Sequence, residues 1–279
     1  MEITILVDNN TIIDKYLIGE PAFSALIEKD NKKILFDTGY SDAFIKNSIT
    51  MDKDIFDVDY IVLSHSHPDH TWGLESYLKI LNEKNLINPN RKKINLLVHP
   101  DIFRELTFMG SDVLGMNINK DTLKRYFNII ETKDTYQIVP GIHFLGEVPL
   151  LNEFENKNPI GKNILEGQEY DDYNKDDSAI AIETNEGTVI LTGCSHSGIC
   201  NIVKKTKSIL KDRPVIDIIG GLHLLNTREE ILEKTAKELK KHQIKTISPC
   251  HCTDLKAKIY LSKYMTVNDI ATGSVIKFE

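Results

Sequence analysis

Short apolar, β-branched runs recur along the chain, separated by polar or glycine-bearing turns. Ten of them predict strands: Ile3–Val7, Phe23–Ile27, Lys33–Phe36, Tyr60–Leu63, Asn95–Val98, Ile142–Leu145, Ala179–Glu183, Thr188–Thr192, Val215–Ile219 and Lys245–Ser248. Two stretches, Leu26–Phe36 and Ile182–Leu191, read as hairpins. Helical spacing is clearest over Arg228–His242, where Ile231, Leu232, Ala236 and Leu239 form one stripe. Thr227 and Glu230 have capping-box spacing at its start. Further helices are expected over Gly73–Leu81, Asp101–Met109, Ile199–Leu210 and Asp254–Tyr264.

The order runs β-rich, α/β, β-rich, α/β. It suits two sheets face to face with helices outside, in one domain over residues 1–279. Two stretches lack any period, Met109–Ile118 and Gly146–Asp177. The second is long for a connection within a compact domain, so it is expected to be a substrate loop.

A chain of 279 residues, 41% hydrophobic and 27% charged, can bury a large core. A formal charge of −7 argues against a general nucleic-acid binder. The start, Met1–Asn10, does not read as a secretory signal. No apolar run approaches the roughly 20 residues that span a bilayer. A soluble, cytoplasmic protein is the expectation. Cys194, Cys200, Cys250 and Cys252 sit among histidines rather than in a spaced framework, which predicts reduced thiols.

Three of nine histidines crowd into Ser64–Gly73, "SHSHPDHTWG", just past a predicted strand. His65 and His67 project to one side of an extended segment, and Pro68 turns the chain before Asp69 and His70. Imidazole and carboxylate donors suit zinc, iron or manganese. Four donors in six residues suggest two metals, with His65 and His67 on one and Asp69 and His70 on the other. Cys194 and His196, His223, and His251 each follow another predicted strand. Strand ends along one edge are where loop-borne sites assemble. His99 also follows a strand, and for it a structural role is the expectation.

These residues resemble the metallo-β-lactamase superfamily: "HSHPDH" as its H-x-H-x-D-H signature, "FDTG" at Phe36–Gly39, and the later strand-end histidines. Within it, "LSHSHPDHTWGL", "GEVP", "LTGCSHSGI", "IGGLHL" and "PCHCTDLKA" resemble the 7,8-dihydropterin-6-methyl-4-(β-D-ribofuranosyl)aminobenzene-5′-phosphate synthase-like branch. The resemblance implies an α+β fold, a four-layer αββα sandwich with a dinuclear metal site. It places His65 and His67 on the first metal and Asp69, His70 and His251 on the second. His196 is the preferred third ligand of the first metal, with Cys194 and Glu147 as other candidates. Asp37 would orient a ligand histidine, and Cys250 and Cys252 would be structural. The cofactors implied are two divalent ions, zinc foremost, with iron, manganese or magnesium as alternatives.

The activity this implies is metal-dependent hydrolysis of a small phosphorylated or ester substrate, with Asp69 guiding the proton of the attacking water. The alternative is a pterin transferase that condenses hydroxymethyl-dihydropterin diphosphate with ribofuranosylaminobenzene 5′-phosphate. An iron module for electron transfer fits less well, because oxygen-reducing relatives carry Glu where this chain has His67.

Overall fold

The first hairpin forms where Asp30 and Asn31 separate two apolar runs. Both adopt positive φ, 50° and 59°. A two-residue type I′ turn requires that backbone, and short Asx side chains tolerate it. The turn follows β1 (Glu2–Val7) and joins β2 (Ser24–Lys29) to β3 (Lys32–Phe36), with Lys29 opposite Lys32. The computed structural model describes residues 1–108, 112–211 and 213–279.

The chain continues through α1 (Ala43–Thr50), β4 (Tyr60–Val62), α2 (Pro68–Thr71), α3 (Gly73–Ile87) and β5 (Ile94–Val98). A 3-10 turn at Pro100–Phe103 leads to β6 (Glu105–Phe108), β7 (Asp112–Val113), α4 (Lys120–Tyr126) and β8 (Phe127–Glu131). Then come β9 (Tyr136–Val139), β10 (Ile142–Phe144), β11 (Lys162–Leu165), β12 (Gln168–Asp171), β13 (Ala179–Glu183) and β14 (Thr188–Thr192). The last part holds α5 (Ile199–Ile209), β15 (Val215–Gly221), α6 (Glu229–Lys241), β16 (Thr246–Cys250), α7 (Leu255–Leu261), β17 (Thr266–Val267) and β18 (Val275–Lys277).

The fold divides into two compact units. The first comprises Met1–Thr132, Gly161–Tyr170 and Ala271–Phe278. Its main sheet runs β18-β1-β2-β3-β4-β5-β8, and β3, β4, β5 and β8 are parallel. The apolar stripes of its helices face one core: Phe44 and Ile45 from α1, Leu74, Tyr77 and Leu81 from α3, and Leu123 from α4. Parallel pairing aligns Phe36 with Val62 and Val62 with Leu97, so the C-terminal ends of β3, β4 and β5 lie side by side.

The second unit comprises Lys133–Ile160 and Asp171–Ile270, with Glu279. Its sheet runs β17-β16-β15-β14-β13-β10-β9, with β14, β15, β16 and β17 parallel. Ile202 and Val203 of α5, Leu232 and Leu239 of α6 and Leu261 of α7 pack into its own core. Thr192 aligns with Gly220 and Gly221 with Cys250, so the ends of β14, β15 and β16 also meet. In each unit the parallel block brings the carboxyl ends of its strands together, where open α/β sheets place ligands.

All ten expected strands and both hairpins are present, within a residue or two at their ends. The helix expected over Asp101–Met109 is not formed. Its first part is the 3-10 turn opened by Pro100, and its second is β6, which pairs with β7 and β11. Long-range ladder bonds here override a weak helical spacing. Met109 and the next two residues of the Met109–Ile118 stretch lie outside the described residues. The Thr227–Glu230 capping box does not form: α6 begins one residue later, with Arg228 at the N-cap and no side-chain capping bond. Glu229 and Glu230 in the first turn suit the helix dipole instead. Within Gly146–Asp177 the chain is not structureless, since β11 and β12 join β6 and β7 in a third sheet.

Candidate metal centre

In the first unit, β4 ends at Val62 and the donors follow at once. His67 is the extended N-cap of α2, and Pro68 takes the first helical position, where its missing N–H costs nothing. Four residues of helix then present Asp69 and His70. His65, His67 and His70 are all buried. The His65 ring centroid lies 4.6 Å from that of His67 and 4.2 Å from that of His70. The His70 Nε2 lies 3.5 Å from Asp69 Oδ2.

Asp37, one residue past β3, organises this group. It is fully buried with φ 57°, in the left-handed region. The Ser64 N–H donates to its Oδ1 at 2.7 Å, and the Ser64 hydroxyl donates to its Oδ2 at 2.7 Å. The His70 Nδ1–H donates to the same Oδ2 at 2.7 Å. Ser64 has a single hydroxyl proton, already given to Asp37, so it accepts from His65 Nδ1 at 2.9 Å. In its neutral form each imidazole is thereby set as the Nδ1–H tautomer with the lone pair on Nε2. This is the arrangement in which a carboxylate or hydroxyl fixes a ligand histidine. Burial lowers the affinity of His70 for a proton, but the charges of Asp69 and Asp37 outweigh it and raise its pKa well above the ordinary value.

Backbone bonds hold the loop. Thr38 donates its N–H and its hydroxyl to the His70 carbonyl at 2.9 and 3.1 Å. Gly73 follows because a Cβ there would stand 1.9 Å from the Thr38 carbonyl oxygen. Trp72 stacks on Tyr40 with centroids 5.4 Å apart and donates its indole N–H to the Gly115 carbonyl at 2.9 Å.

In the second unit the donors again follow strand ends. The His251 Nε2 lies 3.2 Å from Cys194 Sγ, and a His196 ring nitrogen lies within 4.8 Å of the same sulfur. The His196 and His223 ring centroids lie 4.4 Å apart, with the ring planes tilted by 58°. Ser195, His223 and His251 hold positive φ of 64°, 51° and 50°. Such backbone costs of order 1 kcal/mol or more per non-glycine residue and persists only where surrounding bonds impose it. The Ser195 hydroxyl donates to the Gly221 carbonyl at 2.6 Å, and the Leu224 N–H donates to the Cys252 carbonyl at 3.0 Å. The Ser197 N–H and hydroxyl both donate to buried Asp177 at 2.9 and 2.6 Å. Burial pushes the Asp177 carboxyl up to about 6, and these bonds hold it from rising further.

Cys252, expected to be structural, packs beside this group through backbone bonds. Its thiol donates to the Cys194 carbonyl at 3.4 Å and accepts the His223 N–H at 3.3 Å. Burial raises its pKa, but the hydrogen bond with Cys194 and the His251 and His223 imidazoles outweigh that and pull it well below the ordinary value. All four cysteines are free thiols; Cys200 and Cys250 are buried. Among the described residues, the close donor groups include Asp69 with His70 in the first unit and Cys194 with His196 or His251 in the second. They do not take in His67, His223 or Glu147. Glu147 instead lines a separate cavity of about 320 Å³ with Tyr173 and Ser197. His99 is buried and caps the 3-10 turn, its Nδ1 accepting the Asp101 N–H at 3.1 Å, which matches the structural role expected of it.

Ser64 and Asp177 escaped the sequence reading. Ser64 stands next to the motif, but its partner Asp37 is 27 residues away. Imidazoles with an anchored Nδ1–H, a nearby carboxylate and a thiol are the donors a borderline divalent ion takes, so these residues fit such an ion.

The model of the metallo-β-lactamase superfamily matches residues 17–251, and the chain belongs to that superfamily. Its fold is the metallo-β-lactamase fold of the α+β class. Within the superfamily it belongs with the 7,8-dihydropterin-6-methyl-4-(β-D-ribofuranosyl)-aminobenzene-5′-phosphate synthase of Methanocaldococcus jannaschii. The two are 34% identical over 275 residues, covering 93% of this chain and 90% of the relative. An uncharacterized protein of the same organism is 32% identical over 276 residues, covering 99% and 98%. Among solved structures the chain is similar to Tm1679, a metal-dependent hydrolase of the β-lactamase superfamily. The TM-score is 0.82 at 25% identity, over 99% of this chain and 98% of that one. No helix among the described residues is long and apolar enough to cross a membrane.

Proposed function

We propose that the protein is a metal-dependent hydrolase of a small phosphorylated molecule, with two divalent ions, zinc foremost, as cofactors. The observation that carries this reading is a cavity of about 530 Å³ in the second unit. It is lined by the strand-end histidines His196 and His223, with Lys157, Arg228 and Lys234 beside Glu153, Glu155 and Glu230. A pocket of that size accepts a molecule of several rings or a sugar phosphate. Its cationic side chains suit an anionic substrate.

The ions would be held by His65, His67, Asp69 and His70 and by His196 and His251, with Cys194 as a further donor. Bound there, they would polarise a phosphoryl or ester oxygen and acidify a water. The chain's own residues do the rest. Asp37 and Ser64 hold His70 and His65 in one tautomer. Asp69, with about a third of its side chain exposed, accepts the proton of the attacking water. The Gly146–Asp177 segment is the substrate loop: Glu153 to Asn158 and Ile160 line the cavity.

A second reading is favoured by the 34% identity to the pterin synthase. In that reading the chain is a transferase that condenses hydroxymethyl-dihydropterin diphosphate with ribofuranosylaminobenzene 5′-phosphate and releases pyrophosphate. Mass spectrometry separates the two. Metal-loaded protein is given both pterin-pathway substrates and, separately, a panel of phosphomonoesters, phosphodiesters and carboxylic esters. Phosphate release from the panel without coupling, lost in His67→Ala, is the expected result. A coupled pterin product establishes the transferase instead.

A further inference from the structure

We infer that Arg228 and Lys157 form an anion grip in the second unit's cavity and bind the phosphate or diphosphate group of the substrate. The inference rests on the phosphorylated-substrate reading above and names the residues that would carry it.

Charge accounting within the cavity singles out this pair. Six charged side chains line it: Glu153, Glu155 and Glu230 against Lys157, Arg228 and Lys234. Lys234 is engaged by Glu230, one helical turn earlier, at 2.5 Å. Glu155 is engaged by the start of α5. Its Oε1 accepts the Cys200 N–H at 2.9 Å, and its Oε2 accepts the Asn201 N–H at 3.1 Å and the Asn152 amide at 2.6 Å. Gly198 makes room for it, because a Cβ there would lie 2.4 Å from Glu155 Oε2. Glu155 is therefore committed to the fold, although it keeps its charge. Of the three cations, Lys234 is the one held by a lining carboxylate, while Arg228, which also feels the charge of Glu230, and Lys157 form no salt bridge with a lining carboxylate among the described residues.

Position strengthens the assignment. Arg228 is the extended N-cap of the 13-residue helix α6, and no side chain caps that helix. Asn226, Thr227, Arg228, Glu230 and Ile231 all line the cavity, so the start of α6 borders it. The positive end of the helix dipole adds to the guanidinium there. Arg also offers a planar fork that binds two phosphate oxygens at once, which Lys cannot. Phe154, Leu222, Leu224 and Ile231 give the same cavity an apolar wall. The class of ligand this describes is an organic phosphate or diphosphate with a flat apolar body, its anionic end toward Arg228 and Lys157.

The test uses the metal-loaded protein and inorganic phosphate as the probe, with binding followed by calorimetry and metal content by elemental analysis. Arg228→Ala and Lys157→Ala should each weaken phosphate binding about tenfold and leave metal content unchanged. Arg228→Lys should recover only part of the loss. Unchanged affinity in both alanine variants overturns the grip, as does a wild type that fails to bind phosphate at millimolar concentration. Loss of metal from the variants overturns it also, because the residues would then be supporting the metal site. The panel of phosphorylated substrates is read separately. Variant-sensitive phosphate binding without turnover of any phosphate ester would sink the hydrolase reading and leave the grip standing.

Discussion

The Nδ1 of His70 lies 2.7 Å from Oδ2 of Asp37, both fully buried and 33 residues apart in the chain. This contact sets which imidazole nitrogen faces a metal. Asp37→Asn keeps the shape and tolerates the residue's positive φ, since Asn visits that region as readily as Asp. It removes the carboxylate, so zinc affinity should fall roughly 10–100-fold, the usual effect of losing such an outer partner. Competition with a chromophoric chelator measures it. Wild-type affinity in this variant would show that Asp37 serves only the fold.

Cys194 lies 3.2 Å from His251 through its sulfur, and this contact predicts that its thiolate ligates. Cys194→Ser should weaken zinc binding and abolish the near-ultraviolet sulfur-to-cobalt charge-transfer band of the cobalt-loaded protein. A band of undiminished strength would assign the sulfur ligand elsewhere, with Cys252 the next candidate.

Gly73 closes the histidine motif against the Thr38 carbonyl, which is backbone and cannot swing aside. Gly73→Ala should therefore destabilise by about 3 kcal/mol, the upper end for overpacking a tight site. Because Thr38 holds the His70 carbonyl, metal affinity should drop with it. Chemical denaturation of the metal-free protein, set beside zinc titration, tests both. A stable variant with weak zinc binding would mean that the strain is absorbed by the metal loop alone.

Asp217 gives the pH prediction. Burial pushes its carboxyl up to about 6 from the ordinary 3.8, and bonds from Ser248 and the Ile218 N–H restrain the rise. An acid with a raised folded-state pKa keeps its proton longer in the folded state, so stability falls as pH climbs from about 4 through 6. The shift of about 2 units corresponds to roughly 3 kcal/mol at most. Relative to Asp217→Asn, the wild type should lose about 2–3 kcal/mol between pH 4 and pH 7. Unfolding curves at both pH values check it. A difference that does not change with pH would mean that Asp217 ionises normally.

Much of this protein can be read along the chain itself. Alternating and continuous apolar runs gave the ten strands, because burial against a sheet face is a local pattern of period two or of unbroken β-branched residues. Asp30-Asn31 specified its hairpin through backbone preferences of two adjacent residues. His65, His67, Asp69 and His70 stood out because their crowding is itself a local signal, and the strand-end positions of His196, His223 and His251 followed from the strands.

Other features depend on residues far apart in sequence. The bond from Ser64 to Asp37 and the contact of Cys252 with Cys194 join positions 27 and 58 residues apart, and nothing in either neighbourhood marks the pair. Asp101–Phe108 became a turn and a strand because β6 found ladder partners in β7 and β11, whose bonds outweigh a marginal helical spacing. Arg228 took the N-cap from Thr227 once packing set the start of α6. Lys157 and Arg228 read as ordinary surface charges until folding placed both on one cavity. Local preference settles turns and periodicity, whereas the tautomers of the ligand histidines and the lining of the pocket come from contacts that exist only after the chain has folded.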